Sequence, residues 1–359
     1  MNNPFIKISD NNIKYIDSTC SINKMILAKS PVSGFEYLEG KNVKSIFSTG
    51  TIVKYIRSKA EELGINLDYM YDAMLPLYVE QQFKDVNGRF HEAANDIIHE
   101  FGNRLAVILL TLRTGSAENR KARPEWSDEH WEYYRNLSKI ILVGGLANKE
   151  FGRQFKVCID ELFCKEGVKP YVIDLYDDAS YFGVLGCATK IKKADSTNII
   201  FDFGHTNIKR AVVERKEGEV VKLHKLENRQ SWYMDDYNKD NSMMWHEAMK
   251  LHNNILIVIA DTYRMAAEKY DLDDEIMVSI ASYTVGGVLN DKRGGYAKLT
   301  LLGTVYEEVL EKDLRQLLGK NVKVSLIHDG TAVAYHFGEE KNAVCMSIGT
   351  AFGVGFPDM

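Results

Sequence analysis

Cysteine is scarce in this sequence, and its spacing builds no motif. Five cysteines occur in 359 residues, Cys20, Cys158, Cys164, Cys187 and Cys345, none in a Cys-x-x-Cys pair. That argues against a disulfide scaffold and for reduced, mostly buried thiols in a cytoplasmic protein. Long hydrophobic runs are missing as well. The longest, LAVILLTL at residues 105–112, is far too short to span a bilayer. The opening MNNPFIKISDN lacks the charged-then-apolar layout of a signal peptide. Positive charge is not in surplus: the formal charge of −5 argues against nucleic acid or an anionic membrane as the main partner. There is no low-complexity tract, no Walker-type phosphate loop and no Gly-x-Ser-x-Gly elbow. What is present is a globular balance, 45% hydrophobic and 26% charged, in a chain long enough for two domains of ordinary size.

The pattern changes three times along the chain. Short strand-like pieces, FIKIS and IKYID, come first, and helical periodicity starts near Ser48. The clearest helix runs from Phe90 to Leu112, with Phe90, Ala94, Ile97, Ile98, Phe101, Leu105, Ile108, Leu109 and Leu112 on one face. The polar stretch that follows, RTGSAENRKARPEWSDEHWE, reads as a surface loop. From Lys139, strand KIILV, helix KEFGRQFKVCIDELF, strand KPYVID and helix DASYFGVLGCATKIKK alternate, which implies a parallel sheet. After Ala194 come three consecutive strands, TNIIFDF, IKRAVVER and EVVKLHKL, then two long helical stretches around residues 244–269 and 303–318. The chain ends with strand VKVSLI, helix-like GTAVAYHF, strand AVCMSIG and GVGF.

Two hairpins share one design. In DFGHTNIK, residues 202–209, a strand ends in Asp202 and turns at Gly204, and Thr206 and Lys209 follow. A glycine at such a turn lets main-chain N–H groups approach an anion, and the acid can hold a hydrated cation beside it. Taken alone, the stretch reads first as an ordinary hairpin with a polar tip. The second hairpin, AVCMSIGTAFGVGF at residues 343–356, repeats strand, Gly349-Thr350, turn and strand with Gly353 and Gly355. Before it, VKVSLIHDGTAVAYHF ends a buried strand in His328-Asp329. Asp329 reads either as a helix N-cap or as a general base. Histidines 246 and 252 are six apart and share no helical face, so a metal site there is not expected. Trp232, Tyr233 and Trp245 read as packing anchors or as a surface for a sugar ring.

Taken together these segments resemble the sugar kinases of the ROK family (repressors, open reading frames and kinases) in the actin/hexokinase/Hsp70 ATPase superfamily. DFGHTNIK is similar to the family's first phosphate motif, HDGTAVA to its catalytic segment and GTAFGVG to its second phosphate motif. IILVGGLANKEFG resembles the adenosine motif and YFGVLGCATKI the closing helix. The cyclic order matches, but the adenosine motif and closing helix come first here, so the chain looks like a circular permutant cut after the second phosphate hairpin. Residues 4–17 would then pair with that hairpin. The resemblance implies an α/β fold of two ribonuclease-H-like (actin-like ATPase) domains. Residues 1–180 plus 338–359 would form the larger one and residues 181–337 the smaller, with ATP and magnesium in the cleft.

The resemblance also implies roles. Asp329 would be the catalytic base; Asp202 would position magnesium through water; Gly204, Thr206, Lys209, Gly349, Thr350 and Gly353 would face phosphates. Gly144, Gly145 and Leu146 would face adenine or ribose, and His328 would meet the sugar beside Asp329. Three residues depart from the family pattern: His205 and Ala351 replace turn glycines, and His328 replaces an asparagine that ligates sugar hydroxyls. The family's Glu-x-Gly-His segment and cysteine cluster have no counterpart, so no structural zinc is expected. The expected activity is phosphoryl transfer from ATP to a sugar or amino sugar. The rival reading is a non-catalytic sensor of sugar or nucleotide that derives from such a kinase. A homodimer is an allowed assembly.

Overall fold

The computed structural model describes residues 2–147, 149–290 and 293–359. The N-terminal elements are β1 (Ile6–Ile8), β2 (Lys14–Ile16), α1 (Val43–Ile46), α2 (Thr49–Ser58), α3 (Leu75–Lys84), α4 (His91–Thr114), α5 (Ala117–Lys121) and α6 (Asp128–Asn136). Then come β3 (Lys139–Val143), α7 (Lys149–Lys165), β4 (Val172–Leu175), α8 (Phe182–Ala188), β5 (Ser196–Phe203), β6 (Asn207–Lys216) and β7 (Glu219–Gln230). The remainder is α9 (Met244–Ala267), β8 (Glu275–Ile280), β9 (Thr284–Val285), β10 (Val288–Leu289), α10 (Tyr306–Leu318), β11 (Lys323–His328), α11 (Asp329–His336), β12 (Ala343–Ile348) and β13 (Phe352–Gly355). The fold is α/β, and no helix among the described residues is long and apolar enough to cross a membrane.

The chain divides into two compact units. The first holds Met1–Pro4, Thr19–Ser180 and Asn342–Val354; the second holds Phe5–Ser18, Tyr181–Lys341 and Gly355–Met359. The sequence reading draws its boundaries near 180 and 338 and groups the first strands and the last residues with the larger domain. In the structure those two segments go with the second unit, where the Phe5 and Phe356 rings stack 5.4 Å apart.

In the first unit the sheet order is β13-β12-β3-β4. β3 runs parallel to both β12 and β4, and all of KIILV beyond its first residue is buried. The strands β1 and β2 do not extend this sheet, as the sequence suggested; they pair with each other, Ile6 opposite Ile16. Helix α4 buries the expected stripe from Ala94 onward, with Phe90 half-buried just before its first turn, and packs on α7, where Gly102 makes room: a Cβ there would stand 2.5 Å from Cys158 Sγ. The polar stretch after Arg113 is not a loop. Ser116 and Ser127 cap α5 and α6, and buried polar side chains of α5 and of the link after it hold an irregular N-terminal segment by its backbone. Asn119 accepts from the N–H groups of Ala28 and Lys29, and Arg123 donates to the carbonyls of Thr19 and Ser21. Polar residues with that duty look like surface residues in a sequence.

In the second unit the order is β11-β8-β5-β6-β7. β5 is parallel to β8, and β8 to β11; β6 is antiparallel to both β5 and β7. Alternation along β5 sends Ile199, Phe201 and Phe203 to the face covered by α9 and α10. Ile200 goes to the opposite face, against α8 and Ala332 of α11. Asp202, two residues on, shares that second face.

Helices α8 and α11 approach backbone to backbone, because a Cβ at Gly186 would stand 1.6 Å from the Ala332 carbonyl oxygen. Gly186→Ala gains about 1 kcal/mol of helix propensity yet forces these helices apart. The expected net effect is a loss of ~1–3 kcal/mol in urea-unfolding experiments. Unchanged stability would show that the helices can reseat without cost.

Candidate functional site

Strand register assembles the first part of the site. Asp202 on β5 stands directly opposite Lys209 on β6 and opposite Ser279 on β8, so the three form a row across neighbouring strands. Directly opposed side chains on one face are within reach of each other. Lys209 Nζ lies 2.8 Å from Asp202 Oδ2, and Ser279 Oγ donates to Oδ1 at 2.7 Å. Asp202 and Ser279 are buried. The charge of Asp202 raises the pKa of Lys209 above its ordinary value, against the opposing effect of burial. Lys209 thus turns to the acid. Gly183 in α8 leaves space for the same carboxyl group, which a Cβ would meet at 3.3 Å.

The turn after Asp202 is braced from outside. The Gly204 N–H donates to the carbonyls of Asp202 and Asn207, at 3.1 Å each, and a Cβ on Gly204 would stand 2.9 Å from the Asn207 oxygen. The Gly204 carbonyl accepts from Ser231 Oγ at 2.8 Å and from the buried Tyr296 hydroxyl at 2.9 Å. The Thr206 carbonyl accepts from the Ser231 N–H. Neither His205 nor Ala351 adopts a left-handed backbone, so both replacements of glycine are free of the strain a Cβ would bring there.

At the end of β11, His328 caps α11: its Nδ1 accepts from the Thr331 N–H at 3.2 Å and lies 3.0 Å from Thr331 Oγ1. An Nδ1 that accepts from a main-chain N–H carries no proton, so the proton of the neutral ring is on Nε2. The ring is buried and stacked on Tyr283 with centroids 4.2 Å apart, and burial pushes its pKa down to about 3. Its Nε2 is 3.2 Å from Asp329 Oδ1, which also accepts from the Gly330 N–H at 2.7 Å. Asp329 is therefore the first helical residue and not the cap. Its side chain keeps 30% of its exposure. Its pKa is pushed up to about 7, first by burial and then by the charge of Asp202, while the Gly330 N–H and Lys209 pull it down.

The other expected residues gather in the first unit, where β3 and β12 run side by side. Gly144 has φ +100°, and a Cβ there would stand 2.4 Å from the Ile348 carbonyl oxygen, so the strand end requires glycine. Leu146 is buried and donates its N–H to that same oxygen, whereas Gly145 is exposed. The Gly349 carbonyl accepts from the Thr49 N–H, and Thr350 is exposed at the turn. Gly353 donates its N–H to Ser347 Oγ at 3.1 Å, and Asn23 clamps Phe352 by both its N–H and its carbonyl. Asn148, in the adenosine-like segment, lies outside the described residues, as do Asp291 and Lys292.

Sequence reasoning missed Ser279, Ser231, Tyr296, Tyr283 and Asn23. Of these only Ser279 left a signal, a lone hydroxyl in the otherwise apolar end of EIMVSI. Among the described residues no group of three or more His, Cys, Asp or Glu side chains converges as a metal cage. As they stand, these residues do not fit a bare magnesium ion: both oxygens of Asp202 already have protein donors, one of them cationic. No family model matches the chain, and no curated protein matches it.

The Asp329 and His328 shifts have opposite consequences for stability. Asp329 has a folded pKa of about 7 against an ordinary 3.8, so the native state holds its proton more tightly. Its contribution to stability is therefore lost as pH rises from the ordinary value through about 7. His328, lowered to about 3 from 6.5, contributes stability that is present above 6.5 and lost as pH falls through about 3. The expected outcome is that Asp329→Asn gains melting temperature relative to the parent between mildly acid and mildly alkaline buffer. A difference in melting temperature that does not change with pH would contradict the shift.

Proposed function

We propose that the chain is a phosphotransferase of the sugar-kinase type, moving a phosphoryl group from ATP to a hydroxyl of a sugar or amino sugar, with Asp329 as the base. The observation that carries this reading is the company Asp329 keeps. A carboxyl group with a pKa near 7 stands at the end of a parallel strand, electrostatically coupled to the Asp202–Lys209 pair. A base poised near neutral pH is half ionised there and still basic enough to take a hydroxyl proton. Its Oδ1 has the Gly330 N–H and the His328 ring beside it, and Oδ2 is the oxygen left for the proton.

The sheet supports the same reading. Five strands in the order β11-β8-β5-β6-β7, with β6 alone running opposite to the rest, match a ribonuclease-H-like domain. The order β13-β12-β3-β4 corresponds to the same plan without its third strand. A circularly permuted ROK-like chain accounts for the order of the motifs and for Phe5 lying against Phe356.

When bound, ATP supplies the transferable phosphoryl group, and magnesium belongs to this proposal as a companion of its phosphates. The chain's own part is positioning and charge. In the second unit Lys209 offers an ammonium, Asp329 accepts the proton and the turn at Gly204–Thr206 offers main chain; in the first unit the turn at Gly349–Thr350 offers main chain of its own. Gly144, Gly145 and Leu146 form a strand end on which adenine or ribose would lie. Gly204 and Gly353 contribute turn shape more than donors, since the N–H of each is engaged within its own hairpin. That engagement is also the observation that favours the second reading, a sensor that binds sugar or nucleotide without turning it over.

The test is ATP consumption against a panel of hexoses and amino sugars, followed by Asp329→Asn with the accepted sugar. Turnover is expected to fall ~10²–10⁴-fold, with nucleotide affinity nearly unchanged. Parent-like turnover would make Asp329 a structural residue and remove the mechanism. Nucleotide binding without phosphorylation of any sugar would select the sensor.

A further inference from the structure

The segment between β7 and α9, residues 231–243, holds neither helix nor strand, yet its start is pinned on several sides. Ser231 belongs to the Gly204 turn: its N–H donates to the Thr206 carbonyl and its Oγ to the Gly204 carbonyl. Two residues on, the Tyr233 carbonyl accepts from the fully buried Lys298 at 2.7 Å. Gly295 packs on the next peptide, since a Cβ there would stand 2.7 Å from the Met234 oxygen. The Tyr237 N–H donates to the Gly294 carbonyl, and Tyr296 reaches the Gly204 carbonyl. The turn, this segment and residues 294–298 are thus one hydrogen-bonded block within the second unit.

The block holds up two features that it does not need for its own stability. Tyr233 has φ +61°, a left-handed backbone that is costly for a bulky residue and persists only where neighbours enforce it. Trp232 and Tyr233 also keep 56% and 45% of their exposure, so their rings are not packing anchors. Exposed Asp235 and Asp236 follow directly, and residues 231–242 carry three acids against one lysine. That charge selects among the rings an indole could take. An aromatic face attracts polarised C–H and ammonium groups, and carboxylates accept from hydroxyl and ammonium donors. The same carboxylates repel phosphates and other anions.

We propose that Trp232 and Tyr233 form a stacking subsite for a neutral or amine-bearing saccharide ring beside the Gly204 turn, and that Asp235 and Asp236 keep anionic rings out of it. The choice of a saccharide rests on the phosphotransferase reading, and the subsite then deepens that reading. It separates a free sugar from a sugar phosphate or a uronic acid before any chemistry occurs. The braces explain why the corner is strained: Lys298 and Ser231 fix the main chain, so both rings are presented without an ordering cost when the ligand arrives.

The test reads binding to the full chain without ATP. Affinity comes from saturation-transfer NMR on the sugar, and the place of contact from tryptophan fluorescence. Trp126 and Trp131 are buried, so Trp232 and Trp245 are the exposed reporters, and Trp245→Phe removes the second. The probes are hexoses, their 2-amino and N-acetylamino forms, hexuronates, hexose 6-phosphates and ATP. A neutral or amino sugar is expected to bind the parent and to shift the emission of Trp245→Phe. Trp232→Ala should weaken that binding ~3–10-fold, and Trp232→Phe should restore most of it. Tyr233→Asn, which suits a left-handed backbone, should keep the fold and weaken binding as well. The double variant Asp235→Asn with Asp236→Asn should admit hexuronates. Parent-like affinity in Trp232→Ala, preference of the parent for hexuronates, or a parent that binds no sugar would each overturn the inference. So would a double variant that still excludes hexuronates, or fluorescence that ATP quenches and no sugar does. The two readings fail separately. A sugar held by the parent, weakened in Trp232→Ala and never phosphorylated removes the phosphotransferase alone. Phosphorylation with an unchanged KM in Trp232→Ala removes the subsite alone.

Discussion

An ionised carboxylate at the end of a buried strand is tolerable only where something compensates it, and for Asp202 that partner is Lys209. The pairing follows from hairpin register: a short turn returns β6 antiparallel to β5, and residues 202 and 209 come to oppose each other. Once the pair exists, much of the second unit's chemistry follows. Ser279, from a strand distant in sequence, meets the remaining oxygen. The charge of Asp202 then acts on Asp329, helping to keep that carboxyl group protonated to higher pH than usual. Breaking such a pair by removing one member leaves a buried charge alone, which typically costs ~3–5 kcal/mol. The arrangement is therefore a condition of folding.

Close backbone approach is the second constraint, and it explains the run of small residues around Asp329. Gly355 lies so near the start of α11 that a Cβ would stand 1.9 Å from the Gly330 oxygen, and Gly186 presses α8 on Ala332. Helix α11 is thereby seated from two sides within the second unit. Its first residue, Asp329, is placed by main chain packed against main chain and by the His328 cap, with no long side chain to adjust. That gives a fixed carboxyl position.

What could be read in the sequence, and what could not, divides by locality. Strands β5, β6 and β7, the helices around His91–Thr114 and Met244–Ala267, and the Asp202–Lys209 hairpin are governed by local alternation and turn chemistry, and all were legible. Asp329 at a strand end was legible as an acid with two readings, helix N-cap or base, and the capping is done by its neighbour His328. Residues 113–132 were misread because Asn119 and Arg123 are buried by hydrogen bonding to distant main chain, which a polarity pattern cannot report. Ser279 and Asn23 matter through partners far along the chain, and nothing in their own surroundings fixes those partners. The strands β1 and β2 looked like a sheet extension because alternation shows that a segment is a strand and is silent on its neighbour.

The sheet of the first unit also imposes an order of events on synthesis. Strand β3 finds its parallel partner β12 about two hundred residues later, and Asn23 closes on Phe352 near the other end of the chain. A ribosome delivers the N-terminal segments first, at roughly 5–20 residues per second. For the whole interval in which residues 144–342 emerge, one edge of β3 therefore lacks its strand, and that edge carries the apolar run Ile140, Ile141, Leu142 and Val143. The five-stranded sheet of the second unit is contiguous in sequence and can close meanwhile. A nascent chain of this protein thus exposes a sticky strand edge late into translation, so its soluble yield should be sensitive to elongation rate and to chaperones that shield such edges.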